Sequence, residues 1–191
     1  MKDLRVEPLD AKRHNRAGFS CGVESLDSYL KTQASQDVRR KANAVFVLVR
    51  VDAPRTILGY FTLCAYGLAP GTIPHEARKH LPRYPLVSAT LIGRLAIATS
   101  QKGQGLGGVL LVRALRKAYE SADIVGSSMV VVAALDERAA KFYSAHGFIR
   151  LPESQRLVLP MASVGTLFTD GPASRKHPAD VLDCELEPAR A

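Results

Sequence analysis

The segment that most limits what this chain can fold into is Arg94–Gly108. An apolar run ending near Ala98 passes through polar Thr99–Lys102 into a turn holding Gly103, Gly105, Gly107 and Gly108, and a stretch with helical apolar spacing leaves it. A strand–turn–helix of this kind needs a sheet for the strand and a layer for the helix to lie on. Glycine removes the Cβ that keeps a ligand off the backbone, and it adopts positive φ without strain. Several amide N–H groups then converge on an anion at the positive end of the helix. A phosphate or diphosphate is the natural occupant, with Lys102 as a mobile charge at the rim. Packing alone does not call for so many glycines in one turn.

The flanking chain supplies the rest of a sheet. Leu4, Val6 and Leu9 outline an opening strand, and Leu26, Tyr29, Leu30, Ala34 and Val38 recur at helical spacing from a start near Glu24, with Ser25 as its cap. Lys31, Gln33, Gln36, Asp37, Arg39 and Arg40 are left outward. Ala44–Val51 and Thr56–Ala65 flank an Asp-Ala-Pro turn and predict a hairpin. A short helix is expected over Glu76–Leu81 and a long strand over Val87–Ala98. A helix over Val109–Ala122, with Val109, Leu110, Ala114, Leu115 and Ala118 inward, leads to a doubly buried strand over Ser128–Leu135. Asp136 caps a helix over Glu137–Ala145 that stops at Gly147, a left-handed C-cap, and Phe148–Arg150 and Arg156–Leu159 finish the sheet. The order βαββ(α)βαβαβ predicts an α/β (α+β) sandwich with one βαβ crossover. Residues 1–164 form the expected domain, and residues 165–191, rich in Pro, Asp, Arg and Lys, an expected loosely ordered tail.

Composition narrows the setting. At 191 residues and 47% hydrophobic, the chain buries one real core. Its apolar runs, such as Met129–Leu135, fall far short of the ~20 residues of a membrane span. The charged start Met1-Lys2-Asp3-Leu4-Arg5 has no apolar signal core behind it, so a cytoplasmic location is expected. Cys21, Cys64 and Cys184 lack metal-ligand spacing, so no metal is expected. An excess of 26 Lys and Arg over 18 Asp and Glu, a formal +8, favours a polyanionic partner. The absence of Trp and only 6% aromatics disfavour a single-strand binder that works by base stacking.

Three phosphate-binding patterns compete for the turn. A Walker loop needs Lys-Ser/Thr after its last glycine, where this chain has Val109-Leu110, and fails. The dinucleotide fingerprint matches Gly103, Gly105 and Gly108, with Asp136 after the next strand. It normally leaves its strand directly and opens a larger sheet than the remaining chain can build. The acyl-coenzyme A turn Q/R-x-x-G-x-G/A aligns on Gly105 and Gly107, with Lys102 at its first position. Here the sequence resembles the GNAT N-acetyltransferases over roughly residues 1–161. The more specific signature is Asp136-Glu137-Arg138-Ala139-Ala140-Lys141-Phe142-Tyr143 with Gly147-Phe148, of the form N-x-x-A-x-x-[FLY]-Y-x-x-x-G-F. Asp136 stands where Asn is common, and Lys102 where Gln or Arg is.

The resemblance implies a GNAT fold, a mostly antiparallel mixed sheet with a splayed strand pair, and acetyl-CoA as cosubstrate. Leu95, Ala96 and Ile97 would pair with the pantetheine arm like an added strand. The amides of Lys102, Gly103, Gln104, Gly105, Leu106, Gly107 and Gly108 would hold the diphosphate, with Asp136 and Phe142 alongside. Tyr143 would protonate the departing thiolate; a phenol with pKa near 10 suits a thiol near ~8.5. Apart from the resemblance, Tyr143 also reads as an aromatic core residue, and Phe142 as packing. No outstanding general base is visible, since His75, Glu76 and His80 sit in a polar loop. That tilts the acceptor toward an α-amine, partly neutral at pH 7, rather than a lysine.

Within the family one branch looks closer than the rest: the sequence resembles the GNAT toxins of toxin–antitoxin operons, which acetylate aminoacyl-tRNA. Phe19-Ser20-Cys21-Gly22, then Leu26-Asp27-Ser28-Tyr29-Leu30, Leu58-Gly59-Tyr60-Phe61 and Leu157-Val158-Leu159-Pro160-Met161 carry that resemblance. It implies a ribbon-helix-helix antitoxin whose tail covers the site, and it is compatible with a homodimer. Arg39, Arg40 and Lys41 and, near the long strand, Arg78, Lys79 and Arg83 are candidates to neutralise a tRNA backbone, or simply solvated charges. Two rival readings are an acetyltransferase for a small-molecule or protein amine, and a non-enzymatic module binding acetyl-CoA as a ligand.

Overall fold

The computed structural model describes residues 3–78, 81 and 84–169. Its sheet has the order β1-β2-β3-β4-β5-β7-β6, built from β1 (Leu4–Pro8), β2 (Ala44–Arg50), β3 (Gly59–Leu68), β4 (Val87–Ile97), β5 (Met129–Ala133), β6 (Ile149–Arg150) and β7 (Arg156–Pro160). All neighbours are antiparallel except β4 and β5, which the helix α4 (Leu106–Val125) joins as a crossover. The expected mixed, mostly antiparallel α/β architecture is therefore the one observed.

Three buried clusters cover the two faces, the third holding Ile73, Ala77, Val87, Met129, Val131 and Val158. Phe61, Leu63, Ile92, Val130 and Val132 pack against Leu110, Leu111 and Leu115 of α4. Buried Leu106, Leu110, Ala114 and Ala118 follow one another every four residues. Leu111 joins them, whereas Val109, expected inward, is only half-buried. On the opposite face Val47, Val49, Tyr60 and Ala96 lie under the N-terminal helical segment. That segment is not one continuous α-helix. It runs α1 (Glu24–Ser28), a π-helical turn Tyr29–Gln33, then α2 (Ala34–Arg39). The expected cap Ser25 lies inside α1, whose N-cap is Val23. Asp37, expected outward, instead accepts hydrogen bonds from Tyr29 Oη and Asn43 Nδ2, both at 2.9 Å. The short helix α3 (His75–Arg78) overlaps the helix expected over Glu76–Leu81, of which residues 79 and 80 lie outside the described residues.

At the other end, α5 (Glu137–Ala145) begins on Asp136 and is followed by Gly147 at φ +85°, both as the sequence predicts. The last helix, α6 (Met161–Thr169), was not foreseen and crosses the expected boundary at residue 164. Gly165, read as the onset of a loose tail, is used for close approach: a Cβ there would come within 3.2 Å of Tyr119 Cε2 on α4. Residues 170–191 lie outside the described residues. Among the described residues no helix is long and apolar enough to cross a membrane, and no cluster of His, Cys, Asp and Glu could hold a metal.

Candidate active site

The site begins where two parallel strands part. β4 and β5 pair from Ala89↔Met129 to Ile92↔Val132 and no further. β5 then follows β7, through Ala133↔Arg156 and an Ala134 N–H donated to Gln155 O at 2.8 Å. β4 stays with β3 as far as Gly59↔Ile97. The backbone groups of Gly93–Ile97 that face β5 are thus left without a strand partner. An extended arm carrying amides can take that place, because backbone N–H and C=O groups left unpaired beside an apolar core are costly.

This wedge opens into a cavity of about 660 Å³ that reaches the glycine turn and α5. Leu95, Ala96 and Ile97 line it, and so do Lys102, Gly103, Gly105, Leu106, Gly107 and Gly108. The glycines divide into two kinds. Gly103 and Gly105 have φ +80° and +73°, and a Cβ on either would meet nothing within 4 Å. They are required by backbone conformation, not by crowding. Gly107 and Gly108 lie inside α4, which starts three residues earlier than its apolar periodicity predicts, and they face Phe142 and His146 of the following helical segment. The α4 N-terminus has no side-chain cap and no acidic residue in its first turn. Its first amides therefore keep their partial positive charge for an anion.

A second loop closes the wall. Ser20 O accepts from Thr99 N at 2.8 Å and from Thr99 Oγ1 at 3.1 Å. Lys102 Nζ lies over Gly22, 3.5 Å from where a Cβ would sit. Asp27 holds this loop from the other side, accepting from Ser20 Oγ and from Cys21 N at 2.8 Å. Cys21, Val23 and Leu26 line the cavity, although the chemistry of the turn alone does not single them out.

Opposite stands Tyr143. It is 6% exposed, lines the cavity, and packs edge-on against Phe142 with ring centroids 5.3 Å apart. Burial pushes its phenol up to about 12, so the neutral, proton-donating form prevails at physiological pH. α5 fixes its direction: Asp136 Oδ1 accepts from Ala139 N at 2.7 Å, capping the helix that carries Phe142 and Tyr143. Replacing Asp136 with Ala is expected to remove ~1 kcal/mol of stability. For a chain of this size that lowers Tm by roughly 2–4 °C in calorimetry.

The remaining expected residues are placed less centrally. The Gln104 side chain turns to Ser100 O at 3.4 Å, off the cavity wall. Arg39, Arg40 and Lys41 are exposed at the end of α2, and Arg78 is exposed with Nη1 donating to Pro70 O at 3.3 Å. Lys79 and Arg83 lie outside the described residues. His75 and Glu76 are exposed and off the wall, where Asp136 is the one carboxylate among the described residues. Sequence reasoning did not assign Arg94 or Arg138, both on the wall. A charged residue directly after a glycine in a mostly apolar strand is the signal by which Arg94 could have been found.

No family model matches the chain. It is 30% identical over 153 residues to the tRNA-acetylating toxin of Mycobacterium tuberculosis, covering 80% of this chain and 89% of the relative. The chain belongs to the GNAT toxins of toxin–antitoxin systems. The probable toxin TacT of Sinorhizobium fredii is 29% identical over 170 residues, 85% of this chain and 93% of the relative. Among solved structures, a tyrosine-to-phenylalanine mutant of KacT superposes with a TM-score of 0.80 at 31% identity, covering 87% of this chain and 99% of that one. AtaT complexed with acetyl-methionyl-tRNAfMet gives 0.79 at 33% identity, covering 87% and 100%. A phenylalanine mutant of AtaT bound to the C-terminus of the antitoxin AtaR and acetyl-CoA gives 0.74 at 30%, covering 87% and 99%.

Proposed function

We propose that this GNAT toxin moves the acetyl group of acetyl-CoA onto the α-amine of aminoacyl-tRNA and thereby blocks translation. The observation that carries this reading is one cavity holding three things together: an unpaired strand edge, an uncapped helix N-terminus behind two positive-φ glycines, and a buried neutral phenol. In this reading the amides from Lys102 to Gly108 take the diphosphate, and the free edge of Gly93–Ile97 aligns the pantetheine arm. The acceptor nitrogen attacks the thioester carbon, the C–S bond breaks, and Tyr143 Oη passes its proton to the leaving sulfur. The proton released by the new amide goes to solvent, and water returns one to the phenolate. No free carboxylate or imidazole on the described wall is poised as a base, which fits an α-amine that is already partly neutral (pKa about 7.7–8.0).

The +8 net charge favours a polyanionic acceptor, and the site of action is the cytoplasm, where charged tRNA is found. The AtaT relative bound to its antitoxin C-terminus supports a matching partner here, a ribbon-helix-helix antitoxin whose tail covers the cavity. Incubation with labelled acetyl-CoA and bulk charged tRNA is expected to place label in the tRNA fraction and none on deacylated tRNA. Label on small or protein amines alone contradicts the reading. Neutralising Arg39, Arg40 and Lys41 together is expected to flatten the dependence of log KM for charged tRNA on log salt by about 2–3, one contact each. An unchanged slope removes them from the tRNA interface.

A further inference from the structure

Arg94 owes its position to an irregularity in the sheet. Across β3 and β4, Thr62 faces Arg94 and Leu63 faces Ile92, which leaves Gly93 as an extra, unopposed residue. An inserted residue reverses the alternation of faces beyond it. Leu95 and Ile97 accordingly join Ile92 in the core beneath α4. Arg94 is delivered to the opposite face, beside Tyr60 and Ala96, where its guanidinium stacks 3.5 Å from the centre of the Tyr29 ring. Without the bulge, Arg94 would point into the apolar layer under α4.

The stack is itself held in place. Tyr29 belongs to the π-helical turn, is 3% exposed, and donates its hydroxyl to Asp37, which also accepts from Asn43. Stacking occupies the flat face of the guanidinium and leaves the N–H groups on its edge available. Among the described residues no carboxylate pairs with Arg94. The titratable groups that feel its charge are Tyr29, Tyr60 and Cys64, and burial pushes each upward, keeping them neutral. The result is a half-buried, pre-oriented and unneutralised fork on the wall of the cavity that holds Tyr143. It is a group separate from the amides of the glycine turn, to which the reading above gives the coenzyme's diphosphate.

We propose that Arg94, braced on Tyr29 and aimed by the bulge at Gly93, is the acceptor-side phosphate receptor: it grips a phosphodiester of the acceptor's single-stranded 3′ end and so positions the aminoacyl group at the thioester. The inference rests on the aminoacyl-tRNA reading above and adds a specificity-determining contact to it. A planar fork matches a phosphate in two-point contact, a fit that a lysine ammonium does not reproduce.

The test compares Arg94→Gln and Arg94→Lys with the unaltered protein on two acceptors, bulk charged tRNA and an aminoacyl methyl ester that lacks phosphate. Arg94→Gln is expected to raise KM for charged tRNA by about 10- to 100-fold, as for a lost charged hydrogen-bonding pair, with kcat changing far less. The slope of log KM against log salt should fall by about 0.7, the value for one single-strand phosphate contact. The loss on the ester should be at least about tenfold smaller, and acetyl-CoA affinity by calorimetry should hold, which also reports a folded site. Arg94→Lys should restore the salt slope but only part of the affinity. Equal losses on both acceptors, an unchanged salt slope, or a loss confined to acetyl-CoA binding each overturn the proposal. Failure of the unaltered protein on charged tRNA with success on the ester would instead overturn the tRNA reading.

Discussion

Replacing Tyr143 with Phe is expected to lower kcat for acetyl transfer by about 10²–10⁴-fold, the usual contribution of a positioned acid. Acetyl-CoA affinity and Tm should stay near those of the unaltered protein. The reason lies in what the hydroxyl does not do. No hydrogen bond ties Tyr143 Oη to another described residue, and the ring is held by Phe142 and Phe148. Its removal therefore leaves no buried donor or acceptor stranded, and the ring contacts persist. Rapid-quench turnover with saturating coenzyme separates this from a binding defect. The same assignment fixes the pH profile. Because burial lifts the phenol to about 12, it remains a proton donor across the working range. Activity should rise as the acceptor amine loses its proton, around 7.7–8.0, and then stay level well past the pKa of about 10 of an ordinary tyrosine. A falling limb near 10 would contradict the burial of the acid.

The second large effect concerns the glycine turn. Gly103→Ala and Gly105→Ala together introduce two residues at φ +80° and +73° without any steric clash, since both Cβ atoms would face open space. Each left-handed position costs a non-glycine residue about 1–2 kcal/mol. The turn is expected to relax and swing its amides away from the anion. Recovering the cradle on binding then weakens acetyl-CoA by about 30- to 700-fold at roughly 1.4 kcal/mol per decade. Gly126 supplies the control, with φ +65° and equally open space beyond the far end of α4. Gly126→Ala should also strain a positive-φ backbone position, one that does not line the cavity, and leave coenzyme affinity, measured by calorimetry, unmoved. Equal affinity in all three proteins would show that the turn does not carry the diphosphate.

Much of this site was legible because it is local. The turn Lys102–Gly108, the Asp136 cap and the placement of Phe142 and Tyr143 follow from residues within a few positions of one another, where backbone preference and capping act directly. The splay was not derivable from spacing, because it depends on β5 pairing longer with β7 than with β4. The bulge at Gly93 has the same origin: a glycine in a strand signals an irregularity, but which side chain it re-aims depends on the register with β3. The contribution of Cys21, Val23 and Leu26 to the cavity arises from contacts between the chain's beginning and its middle. α6 was missed for a different reason. Gly165 reads as a breaker in isolation, and only its proximity to Tyr119 shows that the small residue serves helix packing.

A crystal structure of the Tyr143→Phe variant with intact acetyl-CoA measures the central claim most directly. The account predicts the diphosphate on the amides of Lys102–Gly108, the pantetheine arm paired along Gly93–Ile97, and the thioester sulfur within hydrogen-bonding reach of where the phenol oxygen would stand. A coenzyme bound elsewhere, or a sulfur out of reach of position 143, would contradict it.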